Sequence, residues 1–312
     1  MSLPPILQKL RIPVIGAPMF IVSNPKLVIA QCKSGIVGSF PALNARPASQ
    51  LDEWLHEIIE ALVGTDAAPF AVNQIVHRSN DRFEADMTVC AKWKVPIVIT
   101  SLGARVELNE AVHSWGGITL HDVIDDRFAR KAVEKGADGV IAVAAGAGGH
   151  AGRWSPFALL QEIRAWFDGP LILSGAIANG GSVLAAQAAG ADLAYVGSPF
   201  IATEEANAPE AYKQAIVDSG AADIVYSDLF TGVHGNYLHA SIVNAGLDPD
   251  NLGAGSLDTM KFGSEGSAKS KAWRDIWGSG QGIGVIDRVR PAADYINLLA
   301  GQYAAAKARL SA

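Results

Sequence analysis

Eight short apolar runs, interleaved with amphipathic segments, constrain this chain more than any other feature. The runs are Ile12–Ile15, Ile36–Ser39, Phe70–Asn73, Ile97–Thr100, Ile118–Leu120, Gly139–Val143, Leu171–Ser174 and Leu193–Val196. Each is apolar throughout rather than alternating, the pattern of a parallel strand covered on both faces. Between them, Gln50–Val63, Arg82–Trp93, Arg127–Lys135 and Phe157–Phe167 carry apolar residues at three- and four-residue spacing with charges on the other side, which predicts helices. Eight strand–helix units predict an α/β fold of the (β/α)8 TIM barrel type, in which closure removes the sheet edges. An open doubly wound sheet usually stops at about five to seven strands.

After the eighth run the pattern changes. Glu204–Ser219 reads as a helix, whereas Ala221–Gly284 is rich in Gly, Asn, Asp and Ser and has weak periodicity. We expect residues 221–284 to form an insertion or cap over one end of the barrel, which residues 1–220 and 285–312 build. A closing helix is expected from Pro291 to Leu310, with proline suited to its first turn. A separate small C-terminal domain is the alternative.

Composition narrows the function classes. With 312 residues, 49% hydrophobic and only 18% charged, the chain has the apolar surface to offset ordering entropy, which excludes a disordered protein. A net charge of −6 provides no broad basic surface, so nucleic acid is not an expected partner. No apolar stretch approaches the roughly 18 residues of a membrane span, and Pro4 and Pro5 interrupt the start where a signal peptide needs an unbroken apolar segment. A soluble, cytoplasmic protein is expected. Cys32 and Cys90 are too few for a disulfide framework or a structural zinc site and read as core residues.

In barrels of this type the functional groups lie at the carboxyl ends of the strands. Here those positions hold Gly16-Ala17-Pro18-Met19, Asn73-Gln74, His121-Asp122, the glycine-rich stretch Gly146–Gly152 around His150, Ser174–Gly181, and Gly197-Ser198. Ser174-Gly175 and Gly180-Gly181 lead into an expected helix Ser182–Ala189, while Gly197-Ser198 closes the neighbouring strand. Backbone amides and two hydroxyls can thus converge on a dianion near a helix start, a phosphate cradle. The simpler alternative is that the glycines only shape tight turns. His150, set in a flexible glycine segment, reads as a general acid or base above the barrel, against the alternative of a surface histidine. Asn73 ends an apolar strand, and its carboxamide needs either backbone partners or a ligand. Gln281, in Gly280-Gln281-Gly282, is placed facing the pocket from the cap. His234 and His239 lack the spacing and third ligand of a metal site, so no metal is expected. Trp273 and Trp277, beside Lys269, Lys271 and Arg274, read as an amphipathic helix end.

Taken in order, Gly16–Met19, Phe70–Asn73, Gly148–Gly152, Ser174-Gly175 through Asn179-Gly180, Gly190–Asp192, Val196–Phe200 and Trp273 through Gln281 resemble the nitronate monooxygenase family, formerly called 2-nitropropane dioxygenases. The resemblance extends over most of the chain and implies an FMN-dependent barrel enzyme that oxidises nitronates with dioxygen to carbonyl compounds and nitrite. It implies that Met19 and Asn73 contact the isoalloxazine, and that Ser174, Gly175, Ala176, Gly197 and Ser198, with the Gly180-Gly181 turn, hold the phosphate side. His150 would be the catalytic histidine, orienting an anionic nitronate when cationic or abstracting the α-proton of a nitroalkane when neutral. The chain departs from some relatives at Asp122, where a lysine is expected, and at Val143, where a polar or acidic residue is common. Enzymes of similar shape make an NAD(P)H-dependent flavin reductase, acting on an enoyl thioester or a quinone, the alternative function. A non-catalytic flavin- or phosphate-binding barrel is the third reading.

Overall fold

The computed structural model describes residues 3–253, 255 and 276–311. Trp273, Lys269, Lys271 and Arg274 lie outside these. Eight parallel strands form one sheet: β1 (Val14–Gly16), β2 (Gly38–Pro41), β3 (Phe70–Ile75), β4 (Ile97–Ser101), β5 (Ile118–Val123), β6 (Gly139–Val143), β8 (Leu171–Ser174) and β9 (Leu193–Val196). Their spatial order is β1-β9-β8-β6-β5-β4-β3-β2, so every neighbour is the next barrel strand in sequence. Ile15 bridges Val37 in parallel, and Gly16 N–H donates to Val37 O at 2.8 Å, closing the ring. The eight expected strands are all present, within a few residues of the apolar runs.

Period-two alternation divides the core into an inside and an outside. Ile15, Val37, Ile97, Ile99, Leu120, Ile141, Ile172 and Leu193 fill the barrel interior, and Leu7 of the short N-terminal helix Pro5–Gln8 joins them. Each such side chain contributes about 1.5–3 kcal/mol by leaving water. The alternate residues, such as Val72 and Val98 on one side and Val140, Ala142 and Val196 on the other, pack outward against the helices. Cys32 and Cys90 are buried there, and burial pushes both thiols up to about 12, which makes them inert packing groups.

Local signals explain the helix boundaries. Helix Pro25–Lys33 starts with proline in its first turn behind an Asn24 cap, and helix Asp126–Glu134 starts behind Asp125, whose carboxylate accepts from Phe128 N. The closing helix runs Ala292–Ser311. The helix expected over Glu204–Ser219 is shorter: it spans Glu210–Asp218, because Pro209 sits at its N-cap and residues 204–209 run as a loop. That loop is tied to the one after β1, with Asn24 Nδ2 donating to Glu205 O and Asn207 N–H to Val22 O.

A second sheet sits at the carboxyl ends of the barrel strands. Strands β10 (Ile224–Ser227) and β11 (Gly235–Leu238) form an antiparallel pair, and β11 also pairs with β7 (Gly149–His150), which belongs to the loop after β6. The segment expected as a cap is therefore joined to the barrel by main-chain ladder. Among the described residues no helix is long and apolar enough to cross a membrane.

Candidate active site

Strand parity decides which side chains reach the site. The last inward-facing layer of the barrel consists of Asn73 on β3, Ser101 on β4, Asp122 on β5, Val143 on β6, Ser174 on β8 and Tyr195 on β9. All six line an open cleft of about 1450 Å³. Polar groups thus replace the aliphatic layers where the barrel opens. The same parity separates two neighbours expected to sit in a loop after the fifth strand. His121 and Asp122 lie within β5, as Asn73-Gln74 lie within β3. His121 points outward into the helical layer, where Thr100 Oγ1 meets its Nδ1 at 2.5 Å and burial lowers its pKa to about 4. Asp122 points to the cleft.

The cleft floor carries a directed hydrogen-bond chain. Asn73 Nδ2 donates to Ile99 O at 3.2 Å and to Ser101 Oγ at 2.8 Å, and Ser101 Oγ donates to Asp122 Oδ2 at 2.5 Å. Asp122 Oδ1 and the Tyr195 hydroxyl are buried without a hydrogen-bond partner among the described residues. Desolvation pushes the Asp122 carboxyl up to about 7, the Ser101 bond only partly opposing it, and burial with the neighbouring Asp122 raises the Tyr195 phenol.

The glycines of the walls serve two loops that interlock. A Cβ on Gly148 would lie 2.7 Å from Gly280 N, one on Gly280 would lie 2.6 Å from Gly146 O, and one on Gly282 would lie 2.7 Å from Ala176 O. The return segment 278–282 is consequently laid against the loops after β6 and β8, backbone on backbone. Gln281 N–H and Ala176 N–H both donate to Gly146 O, at 2.9 and 3.2 Å, and Gly280 N–H donates to Ser198 Oγ at 2.8 Å. Ser198 accepts that bond, which leaves its own proton uncommitted among the described residues. Gly175 has φ +144°, and a Cβ there would lie 2.8 Å from Ala145 O, so a side chain is excluded on both counts. Three non-glycine residues in the left-handed region, Ile21, Leu102 and Ala176, line the cleft. Strain of this kind, about 1–3 kcal/mol per residue, gathers at binding sites.

His150 is not in a floppy segment. It is half-buried in β7, with Gly235 as its ladder partner, and its Nε2 lies 3.1 Å from Thr231 Oγ1. Thr231 directs its own proton to Val233 O at 2.8 Å, so Nε2 is the donor in this contact and Nδ1 holds the ring's lone pair. Burial lowers the imidazole pKa to about 4, leaving the ring neutral at pH 7.

Of the residues expected from sequence, His150, Met19, Asn73, Ser174, Gly175, Ala176, Gly197 and Ser198 all line the one cleft. Gly180, Gly181 and Gln281 are not on its wall. Gly180 starts the helix Gly180–Ala188, where a Cβ would meet Tyr303 N of the closing helix and where its amide donates to Gln302 Oε1. Its smallness serves helix–helix approach. Gly181 lies in the same first turn beside the Asn179 cap, and Gln281 is exposed, with its side-chain oxygen against Gly146. Sequence reasoning missed Ser101, Tyr195 and Thr231. Counting alternate residues on from the interior isoleucines of β4 finds Ser101, whereas no local signal marks Thr231.

An FMN would meet compatible groups here: the spare proton of Ser198, the Ser174 hydroxyl at the end of β8, the side-chain-free turn at Gly175, and the carboxamide of Asn73 on the floor. A parallel eight-stranded barrel with this anion-compatible rim and a histidine beside it has the groups to hold a phosphorylated ring cofactor. The chain belongs to the nitronate monooxygenase family, whose model matches residues 74–301. It is 27% identical to a nitronate monooxygenase of Paraburkholderia phytofirmans, over 76% of either chain. It is 26% identical to a hydroxy-methyl-oxo-octahydroindene-carboxyl-CoA dehydrogenase of Rhodococcus jostii, over 75% of this chain and 64% of that one. Among solved structures, a nitroalkane oxidase of Streptomyces ansochromogenes superposes with a TM-score of 0.83 at 25% identity, covering 98% of this chain and all of that one. FabK of Thermotoga maritima, at 23% identity and a TM-score of 0.78, shares the fold.

Proposed function

We propose that this chain binds FMN in the cleft and oxidises alkyl nitronates with dioxygen, yielding a carbonyl compound and nitrite. The bound flavin supplies the route for electrons from substrate to dioxygen. The chain's own residues do the rest. Ser174, Gly175, Ala176, Gly197 and Ser198 hold the phosphate, with the hydroxyl protons of the two serines directed at its oxygens. Met19 and Asn73 bear on the ring. Residues 221–284 serve as the cap that limits water around the reacting carbon.

His150 acts as a neutral imidazole. A pKa of about 4 leaves it uncharged at working pH, so with Nε2–H committed to Thr231 it meets the substrate at Nδ1 as a proton acceptor rather than as a cation. A base this weak abstracts a nitroalkane proton uphill, which favours a substrate that arrives already ionised. The observation that carries the reading is the His150 ring, its Nε2 3.1 Å from Thr231 Oγ1, on the wall of the cleft that Ser174, Gly175 and Ser198 also line.

Anaerobic mixing tests it. Purified protein loaded with FMN is combined separately with an alkyl nitronate, NADH and NADPH, and the flavin absorbance is followed. Rapid bleaching by the nitronate is expected. Rapid bleaching by NADH or NADPH with none by nitronate would overturn the proposal in favour of a flavin reductase.

A further inference from the structure

The floor of the cleft contains a polarity device that the proposed reaction does not yet use. Asn73 has two chemically opposite edges, and nothing in its own covalent structure decides which one a ligand meets. Ser101 has a single hydroxyl proton. Because that proton goes to Asp122 Oδ2, Ser101 meets Asn73 only as an acceptor. The NH2 edge of Asn73 is then required at Ser101, where it is also bound by Ile99 O. The oxygen edge is left for the cleft, and no described residue donates to it.

We propose that Asp122, acting through Ser101, is a positioning residue that holds the Asn73 carboxamide with Oδ1 toward the cleft, as the acceptor for a ring N–H of a planar heterocyclic ligand. With the FMN reading, on which this inference rests, that donor is an N–H on the edge of the isoalloxazine. The arrangement survives protonation of Asp122. The extra proton can sit on Oδ1, which has no hydrogen-bond partner among the described residues, and Oδ2 then continues to accept from Ser101. Removing Asp122 instead releases the Ser101 proton, which can turn toward Asn73 and compete for its oxygen.

The test uses the wild type, Asp122→Ala, Ser101→Ala, the double variant and Asp122→Asn. FMN affinity is measured by quenching of flavin fluorescence, and the visible spectrum of the bound flavin is recorded. Asp122→Ala and Ser101→Ala should each weaken FMN by about tenfold and shift the spectrum in the same direction. The double variant should be no worse than Ser101→Ala alone, since Asp122 acts through Ser101. Asp122→Asn, whose side-chain oxygen can still accept from Ser101, should restore both readouts. Unchanged affinity and spectrum in Asp122→Ala would overturn the inference, as would losses that add in the double variant. A wild type that binds no FMN would overturn the flavin reading itself and this inference with it. A wild type that binds FMN beside unaffected variants would overturn this inference alone.

Discussion

Replacing His150 with alanine should separate two substrates that differ by a single proton. Burial lowers the imidazole pKa to about 4, so at pH 7 the ring is largely uncharged. Any help this residue gives is the help of a neutral ring. A nitroalkane must lose its α-proton in the site, and a positioned base typically contributes about 10²–10⁴-fold to such a step. A nitronate made beforehand in alkali has already lost that proton. His150→Ala should therefore lower kcat/KM for a nitroalkane by about 100-fold, and for the matching nitronate by less than about tenfold. Steady-state oxygen consumption reads both. The ratio of wild type to variant with nitronate should stay level from pH 8 to pH 5, because taking that ratio cancels titration of the substrate itself. If the ratio instead falls as pH rises through the ordinary histidine range near 6.5, the imidazolium is the working form. That result, or an equal loss on both substrates, would refute the reasoning.

His121 should make the protein acid-sensitive for a separate reason. Its folded pKa, about 4, lies below the unfolded value near 6.5, so the unfolded chain takes up the proton first and stability falls as pH drops through that window. Linkage puts the loss between pH 7 and pH 5 at about 2 kcal/mol. In urea unfolding, the stability difference between wild type and His121→Gln should shift by about this amount over the same range; an unchanged difference would show that the ring titrates normally. Gly175→Ala should lower stability by about 1–3 kcal/mol, because the φ of +144° and the approach to Ala145 O both resist a Cβ. A thermal scan that leaves Tm where it was would show that the turn can relax.

The barrel was legible because strands buried on both faces read as unbroken apolar runs. That same property hid which residues face inward. His121 and Asp122 look alike as a polar pair closing a strand, yet one enters the helical layer and the other the cleft. The strand read over Phe70–Asn73 likewise stops short, because β3 continues through Gln74 to Ile75. The glycine-rich stretch around His150 suggested mobility. Its order comes from β11, far along the chain, and from Thr231, so nothing near position 150 announces it. Gly180 shows the reverse error: a glycine at a helix start after a strand suggested an anion contact, while its nearest neighbours belong to the closing helix. Glycine-to-glycine contacts such as Gly148 on Gly280 depend on loops meeting across the rim, which spacing alone does not encode.

Those contacts also govern how the roof over the site can behave. Asn236 Nδ2 donates to Ala147 O, Gly280 N–H to Ser198 Oγ and Gln281 N–H to Gly146 O, so one flank of the proposed cap is tied to the barrel loops by three hydrogen bonds. Lifting that flank would disturb the rim proposed to hold the phosphate. Phe20, Lys26 and Arg46 line the same cleft without taking part in these bonds, so movement there leaves the moorings on the anchored flank untouched.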